Sequence, residues 1–393
     1  MSSDDRSSTT RTKTAAGLEP FTSDSAAPTW EQGLIVGSGR VGALVFGAPG
    51  AITVSLSHER FFLPANPTPK APAIAGALDD IRHALLDGDN ELASGLMMQA
   101  ANTAGFDKLI WTNPLAICAT LTLRSTATGA EPTVRQIDLE HGEAGVEWDD
   151  PEGGRVTVGM LAPRGTETVA LALEAQRPVV FELELAISRE ATESAPTGAG
   201  DYSARVRSEV EPGAVGILRA TGAGDDELAA TTSVTGAGEW RSAQRDGALR
   251  SSVAVPGGGQ VVLVIDIAVT PSTAWNAEPA PVATDWASLR SRQAQTHGEL
   301  VRRSVLDLSG DAVATTEELW QRARAGDDGA RRRVVETAYL SGRTNTISST
   351  GELPPTLQGV WQGTWSPAWS ADYTMNGNVQ NGGIASLIPT GTP

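Results

Sequence analysis

Val179-Val180-Phe181-Glu182-Leu183-Glu184-Leu185 alternates apolar with acidic side chains. A period of two sends Val179, Phe181, Leu183 and Leu185 to one face and both glutamates to the other, as a half-buried strand requires. The same short β-branched pattern recurs on either side. It is seen at Ala51-Ile52-Thr53-Val54-Ser55-Leu56, Leu121-Thr122-Leu123, Arg155-Val156-Thr157-Val158-Gly159-Met160 and Gln260-Val261-Val262-Leu263-Val264-Ile265. Pro151-Glu152-Gly153-Gly154 and Pro256-Gly257-Gly258-Gly259 supply turn chemistry between such runs. From Trp30 to about Thr270 the strands follow one another without long helices, which predicts a sandwich of antiparallel sheets. One helical insertion is expected from Ile74 to about Ala101, where Leu78, Ile81, Leu85 and Leu86 fall at helical spacing.

The pattern changes near Asp285. Trp286, Leu289, Gln293 and Leu300 predict a helix running toward Val305, after a linker marked by Pro271, Pro279 and Pro281. Thr315-Thr316-Glu317-Glu318 reads as a capped start to a second helix. Asp327 through Ser341 predicts a third, with Val334, Val335, Ala338 and Tyr339 on one face. The chain is therefore multidomain, β first and α afterwards.

Composition bounds the function. Across 393 residues, 40% are hydrophobic and 20% charged, enough apolar material for a sizeable core. Thirty basic against forty-seven acidic residues give a net charge of −17. That field repels phosphate backbones and anionic lipid, so nucleic acid and membrane are not expected partners, whereas neutral ligands are compatible. The single cysteine, Cys118, sits in apolar Ala116-Ile117-Cys118-Ala119 and reads as a small buried hydrophobe in a chain without internal disulfides. Residues 1–28 are polar and Ser/Thr-rich, read as a disordered tail without the apolar core of a signal peptide. A cytoplasmic location is the expectation; a segment upstream of Met1 would change it to secretion.

Gly37-Ser38-Gly39-Arg40-Val41-Gly42 matches the glycine pattern of dinucleotide sites. Such a site needs a helix N-terminus directly after it, but Ala43-Leu44-Val45-Phe46 continues as strand. The glycines read as a β-hairpin turn. His58, His83, His141 and His297 are scattered without metal-ligand spacing, so neither a metal nor a cofactor is expected. His58-Glu59 is a candidate acid–base pair or simply a satisfied histidine in a strand.

The chemistry-bearing stretch is Leu357-Gln358-Gly359-Val360-Trp361-Gln362-Gly363-Thr364-Trp365-Ser366-Pro367-Ala368-Trp369 and the following Asp372-Tyr373-Thr374-Met375-Asn376-Gly377-Asn378. Trp361, Trp365 and Trp369 in a Gly/Pro-broken segment, with Tyr373 close by, suit the apolar faces of a sugar ring; equally, they suit packing at a helix-to-loop junction. Asn376 and Asn378, in an extended chain, would aim both amides at one point and orient a water or hydroxyl. Neither accepts a proton at neutral pH, so a carboxylate partner is required.

Two blocks resemble glycoside hydrolase family 95, the inverting α-L-fucosidases. Trp30–Gly47 is similar to the family's opening W-x-x-A-L-P-x-G-N-G-R-L-G-A-M-V-F-G. The second, Ser341–Asn378, is similar to L-P-A-N-L-Q-G-I-W-N…P-P-W…Y-T-I-N-I-N. The resemblance implies a β-super-sandwich over 29–275, a helical linker over 276–326, and over 327–393 the first helices of an (α/α)6 catalytic barrel, incomplete in this chain. It implies that Asn376 and Asn378 position the attacking water, while Trp361, Trp365, Trp369 and Tyr373 are the substrate-binding candidates of the compositional reading above. The general acid and the base-partner aspartate are then expected beyond Pro393, leaving this chain inactive alone. Helix faces exposed for want of barrel neighbours are expected to associate with one another. The substrate implied is an oligosaccharide with a terminal α-linked fucose or α-L-galactose. The family's Thr-Glu-Met-Asn-Tyr-Trp is here Val379-Gln380-Asn381-Gly382-Gly383-Ile384, which leaves open a different sugar, or a non-catalytic carbohydrate-binding sandwich.

Overall fold

A computed structural model describes residues 18–62, 72–106, 112–127, 130–152, 154–187, 205–211, 215–222, 225–243, 248–270, 285–312, 315–365 and 367–383. The alternating runs form two antiparallel sheets, the sandwich the sequence predicts. One sheet holds nine strands, in the order Phe21–Ser23 (β1), Ala130–Asp138 (β6), Glu143–Asp149 (β7), Arg155–Leu161 (β8), Thr168–Ala175 (β9), Gly259–Thr270 (β16), Asp225–Thr235 (β13), Val215–Gly222 (β12) and Arg205–Glu211 (β11). The other holds seven: Arg241–Ala243 (β14), Ala248–Val255 (β15), Val179–Ala186 (β10), Leu115–Ser125 (β5), Ala51–Phe62 (β4), Val41–Ala48 (β3) and Leu34–Gly37 (β2).

The period-two pattern sets the core. Phe181, Leu183 and Leu185 of β10 are buried, and Glu182 between them is exposed. Val54, Leu56, Leu121 and Leu123 of the smaller sheet meet Val146, Trp148, Val158, Leu171 and Ile265 of the larger. Cys118 is buried there, and burial pushes its thiol up, so it is an inert core side chain. Strand β9 is buried on both faces because a helix covers the outside of its sheet.

The inserted helix is in fact two, Leu78–Leu86 (α1) and Asn90–Thr103 (α2). Gly88 turns the chain at φ 79°, and Asp89 caps α2 through the Leu92 N–H at 2.9 Å. Leu85 and Leu86, at helical spacing, are exposed. In the C-terminal part, Trp286–Arg302 (α3) lays Trp286 and Leu289 on Leu161, Ala170 and Ala172. Thr315 caps Thr316–Arg324 (α4) through the Glu318 N–H, as its capping sequence predicts.

The last long helix, Asp328–Ser349 (α5), runs eight residues past its expected end, and its buried stripe is Ala330, Arg333, Glu336, Leu340 and Ile347. Val335 and Ala338, placed on the apolar face by sequence, are exposed, because α5 packs through Leu340 and Ile347 onto Val301, Leu139 and Leu18. Its C-terminus is held by the sandwich: Arg164 donates to Ile347 O at 2.6 Å and Thr350 O at 3.2 Å. A cation there suits the negative end of the helix dipole.

The polar tail is shorter than its expected limit at Pro28. Leu18 is buried beneath α5, and β1 adds to the sheet edge by pairing Phe21 with Ile137. An apolar residue at each of these positions draws the chain onto the core. Residues 1–17 lie outside the described residues, as do the linker prolines 271, 279 and 281.

Candidate functional site

The glycine hexapeptide is a hairpin, with Gly37 paired to Gly42 across the turn between β2 and β3. Gly39 occupies the left-handed region at φ 91°. A side chain at Gly42 would stand 2.6 Å from Val360 O, because the C-terminal segment lies directly on the hairpin. These glycines therefore seat the Trp-rich segment rather than a phosphate.

That seat decides the tryptophans. Trp361 is 8% exposed, packs with Leu44, Val360, Trp30, Ile35 and Phe46, and donates its Nε1–H to Val36 O at 2.7 Å. Trp365 is 3% exposed and belongs to the sandwich core. Between them Gln362 is buried, donating to Leu115 O at 2.9 Å while its own backbone O accepts from Ser55 Oγ at 2.6 Å. Junction packing, not ring stacking, takes up Trp365 entirely and Trp361 nearly so. Trp369 differs: it is 68% exposed, on a left-handed turn in which Trp369, Ser370 and Ala371 have φ of 55°, 57° and 47°. Three non-glycine residues in that region cost of order 1–3 kcal/mol each, so the surrounding structure imposes the turn. Tyr373 is anchored, its hydroxyl donating to Glu59 O at 2.6 Å and its ring tilted on Phe62 at 5.5 Å.

The asparagines are not in an extended chain. Asn376 lies in a turn, and Gly377-Asn378 opens a short helical turn continuing as Val379–Gly383. Both are exposed, and the period-two argument for their shared direction does not apply to this backbone. Asn378 and Trp361 line a common cleft of about 520 Å³, which Asn376, Trp365, Trp369 and Tyr373 do not line. Its walls are the last turns of α5, residues 355–361 and residues 374–379, with Ile35 of β2 beneath.

The cleft is polar in a way the sequence did not advertise. Asn345, Thr346 and Ser349 face it from α5 at i, i+1 and i+4. The hydroxyls of Thr346 and Ser349 donate back to Gly342 O and Asn345 O, leaving oxygen lone pairs as acceptors. Gln358 lines it too, and its buried Oε1 has no hydrogen-bond partner among the described residues. An acceptor so placed is costly unless a ligand donor or water meets it. Gln358 stands in the quoted Trp-rich motif, and its amide was the available signal. No carboxylate among the described residues lines the cleft.

Beside the cleft, Glu59 is 3% exposed and burial pushes its carboxyl up to about 7, against a lowering contribution from the Leu353 N–H it accepts at 3.3 Å. Its neighbour His58 is buried, with Nδ1 accepting from the Arg60 N–H and Nε2 3.5 Å from Glu167. The two side chains engage different partners, so they do not act as one acid–base pair.

The sequence model described as glycosyl hydrolase family 65, N-terminal domain, matches residues 21–271, well over half of the chain. The chain belongs to this family. The family 65 domain coincides with the two-sheet sandwich, and the model described as glycosyl hydrolase family 95 catalytic domain matches residues 285–382, which hold α3 to α5 and the cleft. The protein is thus glycoside hydrolase-like in both parts. Among solved structures, one described as "Putative kojibiose phosphorylase from human microbiome" aligns at 9% identity and a TM-score of 0.43, covering 80% of this chain and 39% of that one. This chain spans about two fifths of that relative's length. No curated protein matches. No helix among the described residues is long and apolar enough to cross a membrane.

Proposed function

We propose that the chain carries the sandwich and the opening of the catalytic domain of an inverting glycosidase of the α-L-fucosidase type, acting on a terminal α-linked fucose or α-L-galactose. The observation that carries this reading is the cleft, where Asn378, the Gln358 Oε1 without a partner among the described residues and the α5 hydroxyls converge beside Trp361. Neutral amides and hydroxyls without a charged group suit a neutral, hydroxylated ligand. Asn378 orients the attacking water in the cleft, and Asn376, two residues earlier, stands outside the cleft lining. Exposed Trp369 offers a platform to the part of the oligosaccharide outside the cleft. Inversion needs an acid and a base standing apart with water between, and those carboxylates come from elsewhere in the catalytic domain.

A cleft lined by neutral amides and hydroxyls, with no Asp or Glu among the described residues, favours a second reading, a carbohydrate-binding sandwich without catalysis. Calorimetric titration with 2′-fucosyllactose, and with lactose as control, tests both. Selective binding lost in Asn376→Ala/Asn378→Ala and in Gln358→Ala supports the cleft as the fucoside site. Selective binding untouched by either variant transfers the function to the sandwich. Equal affinity for lactose overturns the fucoside reading.

A further inference from the structure

We propose that Glu59 is a positioning residue that ties both walls of the cleft to the sandwich and releases them when its carboxyl gains a charge. Three hydrogen bonds converge on it. Its N–H donates to Arg40 O at 2.8 Å, fixing it to the β2–β3 turn. Its Oε2 accepts from the Leu353 N–H at 3.3 Å, where the 353–361 wall begins. Its backbone O accepts from Tyr373 at 2.6 Å, one residue before the 374–379 wall. One strand residue thus touches both segments, of which 353–361 is also seated through Ser57 and Val36.

The charged groups around it are already engaged. On its own strand, Arg60 approaches Oε1 only to 4.0 Å and pairs with Glu352 at 2.8 Å. From the hairpin turn, Arg40 pairs with Glu167 at 3.2 Å and with Glu352 at 3.5 Å. Glu167 in turn faces His58 at 3.5 Å. Glu352 on the following segment repels a charge on Glu59, and Tyr373 on the other wall supplies no cation. Oε1 itself is buried without a hydrogen-bond partner among the described residues. A carboxyl in that setting favours the proton, and burial accordingly raises it to about 7.

The linkage has one sign. Between about pH 4.5 and 7 the closed arrangement keeps a proton that the opened, solvated carboxyl releases. Opening of the walls therefore grows with pH through that window and levels off above it. From pH 5 to 8 the growth is bounded near a hundredfold, and is about tenfold if the opened carboxyl is only partly hydrated. The consequence for sugar binding rests on the cleft being the ligand site; the opening itself does not.

Amide hydrogen exchange on the full chain, without ligand, at pH 5, 6, 7 and 8 and corrected for intrinsic rates, tests this. The expected result is a ten- to hundredfold rise in opening for amides of 353–361 and 373–379 across that range, with β9 and β10 unchanged, and no rise in Glu59→Gln. A flat wild-type profile, or the same rise in Glu59→Gln, overturns the proposal. Should Glu59→Gln fail to fold, Tyr373→Phe decides: loosening of 373–379 at every pH with the rise at 353–361 retained supports it, and loss of that rise overturns it. A chain that shows the rise yet binds no fucoside refutes only the sugar reading, and the converse refutes only this one.

Discussion

Gly42→Ala is the sharpest perturbation of the seat between hairpin and C-terminal segment. A methyl there would stand 2.6 Å from Val360 O, 2.9 Å from Val360 C and 2.9 Å from Trp361 Cδ1. Ordinary contact begins near 3.4 Å, so Val360 must retreat by roughly 0.8 Å. It is not free to do so. Ser57 Oγ donates to Val360 O at 2.5 Å from the strand beneath, and the Trp361 Nε1–H donates to Val36 O at 2.7 Å. Retreat stretches both bonds past useful length, at about 1 kcal/mol each. The overpacking adds about 1–3 kcal/mol, so the expected loss is about 3–5 kcal/mol in the docking of residues 353–361. The assay is urea denaturation followed by tryptophan fluorescence, with limited proteolysis to locate early cleavage. Gly95→Ala on α2, where nothing lies within 4 Å of the added methyl, is the control and should be neutral or up to about 1 kcal/mol stabilising. A Gly42→Ala chain with the wild-type midpoint and wild-type resistance at 353–361 would refute the seat.

Acid should unmask a second buried group: His297 is fully buried, and burial, aided by the Arg164 charge, lowers it to about 4. Between pH 6.5 and 4 the unfolded chain takes up a proton the folded one refuses, so stability falls with falling pH by up to roughly 3 kcal/mol. Glu59 acts oppositely over pH 4.5–7, so the two nearly cancel in the wild type; Glu59→Gln should unmask the acid loss and His297→Leu should make stability rise as pH falls, as read from urea midpoints at pH 4.5, 5.5 and 6.5. Arg164→Met removes both donors to the end of α5 and should cost about 2 kcal/mol, with faster amide exchange confined to the last turn of that helix; unchanged exchange there would show that the cap is dispensable. Sedimentation velocity should show concentration-dependent self-association through Val335 and Trp320, half exposed on α5 and α4, reduced by Val335→Glu; a monomer at all concentrations would refute it.

The strands were legible because burial on one face writes itself into the sequence with a period of two, as Phe181, Leu183 and Leu185 do. The cap of α4 was equally local, since Thr315 bonds three residues ahead, whereas the Asp89 cap that divides the inserted helix in two went unread. What failed to show was partnership across long separations. Nothing near Leu18 says that α5 will cover it, and nothing near Val335 says that Leu340 and Ile347 will be preferred for packing. The same holds within the candidate site. Trp365 and Trp369 stand four residues apart in one Gly/Pro-broken run, yet one is core and the other solvent-facing, a difference set by the strained turn at 369–371. Asn376 and Asn378 kept their spacing and lost the extended backbone that gave it meaning. Gln358 offered only an amide within the Trp-rich motif; the atoms packed around it reveal the orphaned acceptor.

The pairing of Trp361 with Val36 spans 325 residues, and this separation sets a clock during synthesis. At ribosomal rates of about 5–20 residues per second, the hairpin's outer face waits roughly 15–65 s for the segment that covers it. Through that interval Ile35, Leu44 and Phe46 present an apolar patch to the cytosol or to a translocation channel. A nascent chain of this protein therefore exposes an apolar patch at its first hairpin until the tryptophan segment emerges to cover it.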